Sequence, residues 1–260
     1  MNILVCIKQV PDTTEVKLDP KTGTLIRDGV PSIINPDDKA GLEEALNLKD
    51  KLRANVTVIT MGPPQAKVAL KEALAMGADR GILLTDRAFA GADTLATSLT
   101  IASAIKKLDY DLIIAGRQAI DGDTAQVGPQ IAKHLDIPSI TYVEKLELQD
   151  DSVVVNRAFE EGYQVIKAKM PLLITTLKEM NSPRYMRVGR IYDAYNEDCI
   201  ETWNLKDIEV DIEKIGLKGS PTKVKKSFTK GVKTAGKLHE VDEKQGASII
   251  INALKEKFML

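Results

Sequence analysis

The sequence predicts an α/β fold: a doubly wound parallel sheet with helices on both faces, continued by an antiparallel extension and a C-terminal arm. Three observations lead there. Short apolar runs at residues 3–7, 56–60, 81–84, 112–115 and 139–143 are mostly rich in Val, Ile or Leu. Near-continuous apolar runs of that length belong to strands covered on both faces. Between them, residues 36–51, 64–76, 93–108 and 124–135 carry apolar side chains at helical spacing. Strand and helix in alternation make βαβ units, whose right-handed crossovers place helices on both faces of a parallel sheet. After residue 143 the alternation stops, and two strand-like runs flank Asp150-Asp151 as in a hairpin.

Each element has its own punctuation. In the first helix Leu42, Ala45 and Leu46 share a face, and Asn35-Pro36-Asp37-Asp38 reads as its cap, with Pro in the first turn and acids behind it. Met76-Gly77-Ala78 is a helix stop. Asp93-Thr94, with Thr97 one turn on, reads as a cap and packing turn. Asp123 followed by Gln126 has the spacing of a capping box. Residues 144–149 and 152–159 form the hairpin, 163–169 and 172–176 add strands, and Asn181-Ser182-Pro183 breaks the chain. Residues 195–240 have weak periodicity, and 218–237 hold seven lysines and no acid, the composition of a solvated arm. An amphipathic helix at 246–258 closes the sequence. The expected division is a domain at 1–194 and an arm at 195–260.

Composition excludes several functions. Of the 260 residues, 28% are charged, yet the net charge is only -1, without the basic excess of a nucleic-acid binder. Aromatics at 4% leave few stacking surfaces for single strands. The 43% hydrophobic fraction builds a core, but no run reaches the roughly 20 apolar residues of a membrane span. The start lacks a secretory pattern, and Cys6 and Cys199 are too far apart in sequence for a C-x-x-C pair. A reduced, cytoplasmic protein without metal is expected.

Neither G-x-G-x-x-G after the first strand nor G-x-x-x-x-G-K-[ST] occurs. Ligands of open α/β sheets sit beyond the carboxyl ends of strands, where strand order reverses. The segments that meet there are residues 6–10, Asn35, Met61-Gly62-Pro63 and the loop of residues 116–128. That loop reads Gly116, Arg117, Gln118, Ala119, Ile120, Asp121, Gly122, Asp123, Thr124, Ala125, Gln126, Val127, Gly128. Glycines and a following helix N-terminus suit a phosphate, and Arg117 adds a cation. Asp121 and Asp123 repel one, since like charges at 4 Å cost roughly 4 kcal/mol at an effective dielectric of 20. The carboxylates are therefore aimed at ribose or ring N–H groups, or at capping. The same loop also reads as a plain capped connection. Lys8-Gln9 reads as a surface pair, and no acid–base pair or triad emerges, which favours ligand binding or electron transfer over hydrolysis.

Ordered motifs then resemble one family over nearly the whole chain. They are Val5-Cys6-Ile7-Lys8-Gln9-Val10, Asn35-Pro36 with Glu43-Glu44-Ala45, Ala73-Leu74-Ala75-Met76-Gly77-Ala78-Asp79-Arg80-Gly81, and the loop at 116–128. Arg157, Glu160, Glu161, Gln164, Ile166 and Pro171 follow, then Asn181-Ser182-Pro183-Arg184-Tyr185. The sequence resembles the β subunit of electron-transfer flavoprotein, and within it the electron-bifurcating group. Ordinary relatives tend to read Ala-Ile-Asp-Asp-Asp-Cys-Asn-Gln where this chain has Gly122, Thr124 and Ala125, smaller residues that would admit a diphosphate and ribityl chain.

The resemblance implies a Rossmann-like, adenine-nucleotide-binding domain in a heterodimer with an α subunit, on which the C-terminal arm packs. It implies FAD in the β site, or AMP in non-bifurcating carriers. The implied cofactor residues are Cys6, Asn35, Pro36, Asp37, Asp38, Met61 and the loop residues Gly116, Arg117, Gln118, Ala119, Ile120, Asp121, Gly122, Asp123, Thr124, Ala125, Gln126 and Val127, with Asp93, Thr94 and Thr97 as further additions. It implies that NADH delivers hydride to this FAD. One electron then goes to ferredoxin or flavodoxin and the other, through the α-subunit FAD, to a flavin dehydrogenase of acyl-CoA or similar type. Residues 181–191 match the dehydrogenase-recognition loop: Arg184, Tyr185, Arg187, Val188 and Arg190, with Val188 where relatives often place Leu. Outside the family, a nucleotide-binding sensor without redox role is the alternative.

Overall fold

The computed structural model describes residues 1–12, 17–18, 25–26, 31–196, 199–222 and 236–259. Most of the lysine-rich run, at 223–235, lies outside them. The described chain runs β1 (Asn2–Cys6), β2 (Gln9–Pro11), β3 (Lys17–Leu18), β4 (Leu25–Ile26), β5 (Ser32–Ile34), α1 (Pro36–Leu52), β6 (Asn55–Met61), α2 (Lys67–Met76), β7 (Arg80–Leu84), α3 (Thr94–Ile105), β8 (Leu112–Gly116), α4 (Val127–Leu135), β9 (Ser139–Gln149), β10 (Ser152–Phe159), β11 (Gly162–Lys169), β12 (Leu172–Thr176), α5 (Val188–Asn196), β13 (Ile200–Trp203) and α6 (Glu243–Glu256).

Nine strands form one sheet in the order β11-β10-β9-β12-β8-β1-β6-β7-β13. From β9 to β13 through β12 the neighbours are parallel, and β10 and β11 are antiparallel. The expected doubly wound sheet with an antiparallel extension is what forms. The chain starts at β1, adds β6 and β7 on one side, and returns through α3 to β8 on the other. The reversal therefore lies between β1 and β8, whose ladder ends with Cys6 opposite Ala115.

The period-two alternation of strand side chains sorts the core into two layers. Ile3, Val5, Leu112, Ile114, Leu172 and Ile174 face α1 and α2, packing on Leu42, Leu46 and Leu70. Leu4, Cys6, Ile113 and Leu173 face the other way, onto Ile101, Ile105 and Ile131 of α3 and α4. Each fully buried Leu or Ile contributes about 1.5–3 kcal/mol. A Cβ on Gly41 would lie 2.8 Å from both Ile114 Cγ2 and Thr176 Oγ1, so α1 can sit this close to β8 and β12 only with glycine there.

The elements differ from expectation at three places. The run at 139–143 and the first hairpin arm are one strand, β9: its first half pairs with β12 and its second with β10, across a register shift between Asn156 and Arg157. Helix α5 occupies a segment expected as a loop; Ile191 and buried Ala194 pack toward α2. Residues 200–220 belong to the body and not to the arm. β13 pairs with β7, Ile208 and Ile215 are buried with the α3–α4 layer, and all of them fall within the first compact unit. A four-residue strand and isolated turns carry no period, which is why this stretch reads as an arm. The second unit, residues 226–260, contains α6, capped by Asp242, whose Oδ1 accepts from Gln245 N at 2.8 Å, and no α6 side chain is buried. No helix among the described residues is long and apolar enough to cross a membrane.

Candidate functional site

At the carboxyl ends of β1 and β8 the connections leave toward opposite faces, the point at which open α/β sheets carry their ligand crevice. The first turn of α1 closes its floor. Pro36 at the start fixes φ, and Asp37 and Asp38, both buried, point at the strand ends. Asp38 Oδ2 accepts from Lys8 N at 2.7 Å and its Oδ1 from Gly116 N at 3.0 Å. Burial pushes its carboxyl up to about 7, against hydrogen bonds from Asn35, Lys8 and Gly116 that pull the other way. Asp37 Oδ1 accepts from Lys178 N at 3.0 Å, while Oδ2 faces Arg117 Nε at 3.2 Å without hydrogen-bond geometry, leaving both atoms buried and unsatisfied. Burial raises Asp37 as well, and the Arg117 charge only partly offsets it. The Cys6 thiol is raised by burial and by the nearby Asp38 charge, so it stays protonated and inert.

Asn35 was expected to cap α1; it makes no side-chain cap bond and serves the loop instead. Fully buried, it donates from Nδ2 to Gln118 O at 2.8 Å and accepts at Oδ1 from Ile120 N at 3.1 Å. A fork with one donor and one acceptor fits a single extended backbone segment, and so fixes Gln118–Ile120 against α1. Lys8 is no idle surface residue. Its Nζ lies 2.7 and 2.8 Å from the two oxygens of Asp121. Gln118 Nε2 donates to Asp123 Oδ1 at 2.8 Å, and Asp123 N and Gly122 N both donate to Ala119 O.

The capping box expected at Asp123 and Gln126 does not form. Helix α4 begins at Val127, with Gln126 as an N-cap lacking a side-chain bond; Gln126 Oε1 instead accepts from Thr94 Oγ1 at 2.8 Å. Asp123 and Ala125 have φ of 50° and 52°. Non-glycine residues there cost roughly 1–3 kcal/mol each, strain that clusters at ligand loops. Residues 121–124 are exposed, and a Cβ on Gly122 would meet no atom within 4 Å. An uncapped helix start, a strained turn and free space next to it can receive an anionic ligand.

The crevice thus unites Cys6, Asn35, Asp37, Asp38 and residues 116–121. Met61 ends β6, one strand over, half-buried in the α3–α4 layer. Thr94 reaches the loop through Gln126, and Thr97 sits one turn into α3. Asp93 is committed elsewhere: Oδ1 caps Ala96 N at 3.0 Å, and Oδ2 accepts from Thr222 N and Oγ1. Burial acts to raise its carboxyl, but those bonds outweigh it and hold it below the usual range. Thr176 and Lys178 escaped sequence reasoning. Thr176 Oγ1 donates to the Asp37 carbonyl at 3.0 Å, and Lys178 holds the Asp37 carboxylate. No cluster of three metal-ligating side chains occurs among the described residues.

Residues 181–191 lie away from this crevice. Arg184 is pinned on α1 by Glu43 (3.0 Å), Asp50 (2.8 Å) and Asn47 (3.1 Å). It is therefore not a free cation beside the apolar anchor. Arg190 Nη1 donates to Ala78 O and Arg187 N to Ala75 O. Outward stand Tyr185, 95% exposed, Val188, 85% exposed, and Tyr192.

The sequence match decides the family. Residues 22–207 match the electron transfer flavoprotein domain. The chain belongs to the electron transfer flavoprotein family. It is 62% identical over 257 residues to the electron transfer flavoprotein subunit beta of Clostridium acetobutylicum, covering 99% of each chain. It is 55% identical over 265 residues to subunit CarD of the caffeyl-CoA reductase-Etf complex of Acetobacterium woodii, with 100% of each covered. It is 45% identical over 268 residues to the acryloyl-CoA reductase electron transfer subunit gamma of Anaerotignum propionicum, again over 100% of each. Electron transfer as a β-type electron transfer flavoprotein subunit, beside an α subunit, follows from this membership.

Proposed function

We propose that the crevice between β1 and β8 holds FAD and that this electron transfer flavoprotein subunit bifurcates electrons from NADH. Bound there, FAD would accept hydride from NADH and pass single electrons to ferredoxin or flavodoxin and, through the α-subunit FAD, to a flavin dehydrogenase. The observation that carries the reading is the loop at Gly122–Ala125. It leaves free space at Gly122, sets two non-glycine residues at positive φ, and leads into a helix start without a side-chain cap. The Thr124 hydroxyl and the α4 amides would meet the diphosphate. Asp121 is ion-paired with Lys8, which lowers its repulsion of the diphosphate, and Gln118 Nε2 holds Asp123 by a hydrogen bond that leaves its charge in place. Hydride transfer between rings needs placement and no side-chain acid or base, in keeping with the inert Cys6 and the structural roles of Asp37 and Asp38.

For the partners, the exposed Tyr185, Val188 and Tyr192 on the α5 segment would dock the dehydrogenase, and residues 226–260 would pack on the α subunit. Names of relatives from caffeyl-CoA and acryloyl-CoA reductase systems favour a CoA-ester reductase or dehydrogenase as that partner. Cofactor analysis of the purified heterodimer tests the reading. Two FAD per heterodimer are expected; one FAD plus AMP would mean a non-bifurcating carrier, and no flavin would mean a sensor. Deletion of residues 226–260 should leave the body soluble and unable to copurify with α.

A further inference from the structure

The carboxyl ends of β1 and β8 pose a hydrogen-bonding problem. Their mutual ladder stops at Cys6 and Ala115; β8 runs one residue further beside β12, with Gly116 opposite Thr176, and Lys8 lies past the end of β1. Asp38 reaches the amides of Lys8 and Gly116 from α1, with one oxygen on each. Gly116 makes room for this, because a Cβ there would overlap Asp38 Oδ1 and lie 2.7 Å from Asp38 N. The carboxyl thus bridges the ends of the two strands.

No cation faces it. On its own helix, Asp37 adds a like charge, and the Lys39 ammonium goes to Glu72 at 2.7 Å. From β1 comes the Cys6 thiol, and just after it Lys8, whose ammonium is given to Asp121. From the loop, Arg117 faces Asp37. We propose that Asp38 is a positioning residue for the loop at 116–126: its carboxyl ties the ends of β1 and β8 together, firmly when neutral and loosely when ionised. A neutral carboxyl keeps lone pairs for both amides, whereas the ionised form buries a charge that is met by hydrogen bonds from Asn35, Lys8 and Gly116 but by no cation, and these do not offset its burial. Opening the tie would let water reach that charge. The rise of the Asp38 carboxyl to about 7 agrees in sign with this, since opening is then favoured as pH climbs from the ordinary carboxylate range toward neutrality. The tie rests on the structure alone; only its bearing on FAD rests on the proposed function.

Amide hydrogen exchange on the full chain in its α–β complex tests it, reading Lys8 and Gly116 against Ile113 and Ile114 within β8. In the wild-type chain, exchange at Lys8 and Gly116 should rise relative to the β8 amides by at least about tenfold between pH 5 and 7 and then level off. Asp38→Asn should abolish that step and leave a pH-independent ratio. A flat wild-type ratio, or a step that survives in Asp38→Asn, overturns the proposal. The wild-type measurement decides even if the variant does not fold. A step at the Lys178 amide without one at Lys8 and Gly116 would assign the titration to Asp37 and also overturn it. If the step appears as expected and no flavin binds, the tie stands and the FAD reading fails.

Discussion

Two glycines six residues apart in one loop should respond in opposite ways to a side chain. At Gly116 a Cβ would lie 2.7 Å from Asp38 N and 2.9 Å from the Asp37 carbonyl carbon, in addition to overlapping the Asp38 carboxyl. Backbone atoms cannot rotate aside, so Gly116→Ala must push the first turn of α1 from the end of β8. Overpacking costs about 1–3 kcal/mol. Weakening the bonds from Lys8 N and Gly116 N to Asp38 adds about 1.5–3 kcal/mol for each one lost. A total of about 4 kcal/mol is expected, with a fall in Tm on the order of 10 °C for a chain of this length. At Gly122 nothing lies within 4 Å of the added Cβ and φ is not in the left-handed region. Gly122→Val should change stability by no more than about 0.5 kcal/mol, yet lower bound FAD by occupying its space. Thermal unfolding and flavin content of the two purified variants are the assay. A Gly122→Val protein as unstable as Gly116→Ala, or one with full flavin content, would refute the reasoning.

Burial lifts Asp38 from the ordinary 3.8 to about 7, so the folded state holds a proton that the unfolded chain releases. Stability from this group is greatest below pH 4 and is lost as pH rises toward 7. Urea midpoints at pH 5 and 8 should show the wild type losing about 3 kcal/mol relative to Asp38→Asn, and a relative gain would contradict the assignment. Asn35→Ala should cost about 2–4 kcal/mol by orphaning Gln118 O and Ile120 N; proteolysis should then begin within 116–126, and an unchanged cleavage map would argue against the clamp. Arg184→Ala should leave Glu43 buried and unpaired, costing on the order of 3 kcal/mol in urea unfolding. Val188→Asp should leave unfolding and NADH oxidation with an artificial flavin acceptor unchanged and depress only the reaction with the dehydrogenase; joint loss of both would remove α5 from docking.

The central sheet was legible because its strands are covered on both faces, and so residues such as Val56 and Ile114 stand in near-continuous apolar runs. The helices were legible where one face is apolar, as at Leu42, Ala45 and Leu46. Helix α5 carried the same signal in Val188, Ile191, Tyr192 and Tyr195, but the Pro-broken turn before it read as a loop. β13 carried none, since Ile200 and Trp203 bracket two exposed residues and only pairing with β7 makes them a strand. At the crevice, the segments that converge were readable from the rule that ligands sit where strand order reverses. The partners were not. Asn35 and Asp123 both belong to residue types that cap helices, and what redirected them is contact with residues 83–85 positions away for Asn35 and with Gln118 for Asp123. Local spacing holds no record of such pairings. The same applies to Lys8, whose carboxylate partner lies 113 residues on.

Helix α1 performs two separate jobs along one rod. Its first turn presents Asp37 and Asp38 to the crevice, and its flank presents Glu43, Asn47 and Asp50 to Arg184. A helix of 17 residues is about 26 Å long and close to inextensible. The span between the crevice and the exposed Tyr185–Val188 surface is therefore gauged by a hydrogen-bonded strut, and hardly at all by the loops joining them. Sliding α1 by a fraction of a turn would displace both ends together and in the same sense, so substitutions in its middle that alter its seat, Gly41 first among them, should register at two surfaces that share no contact.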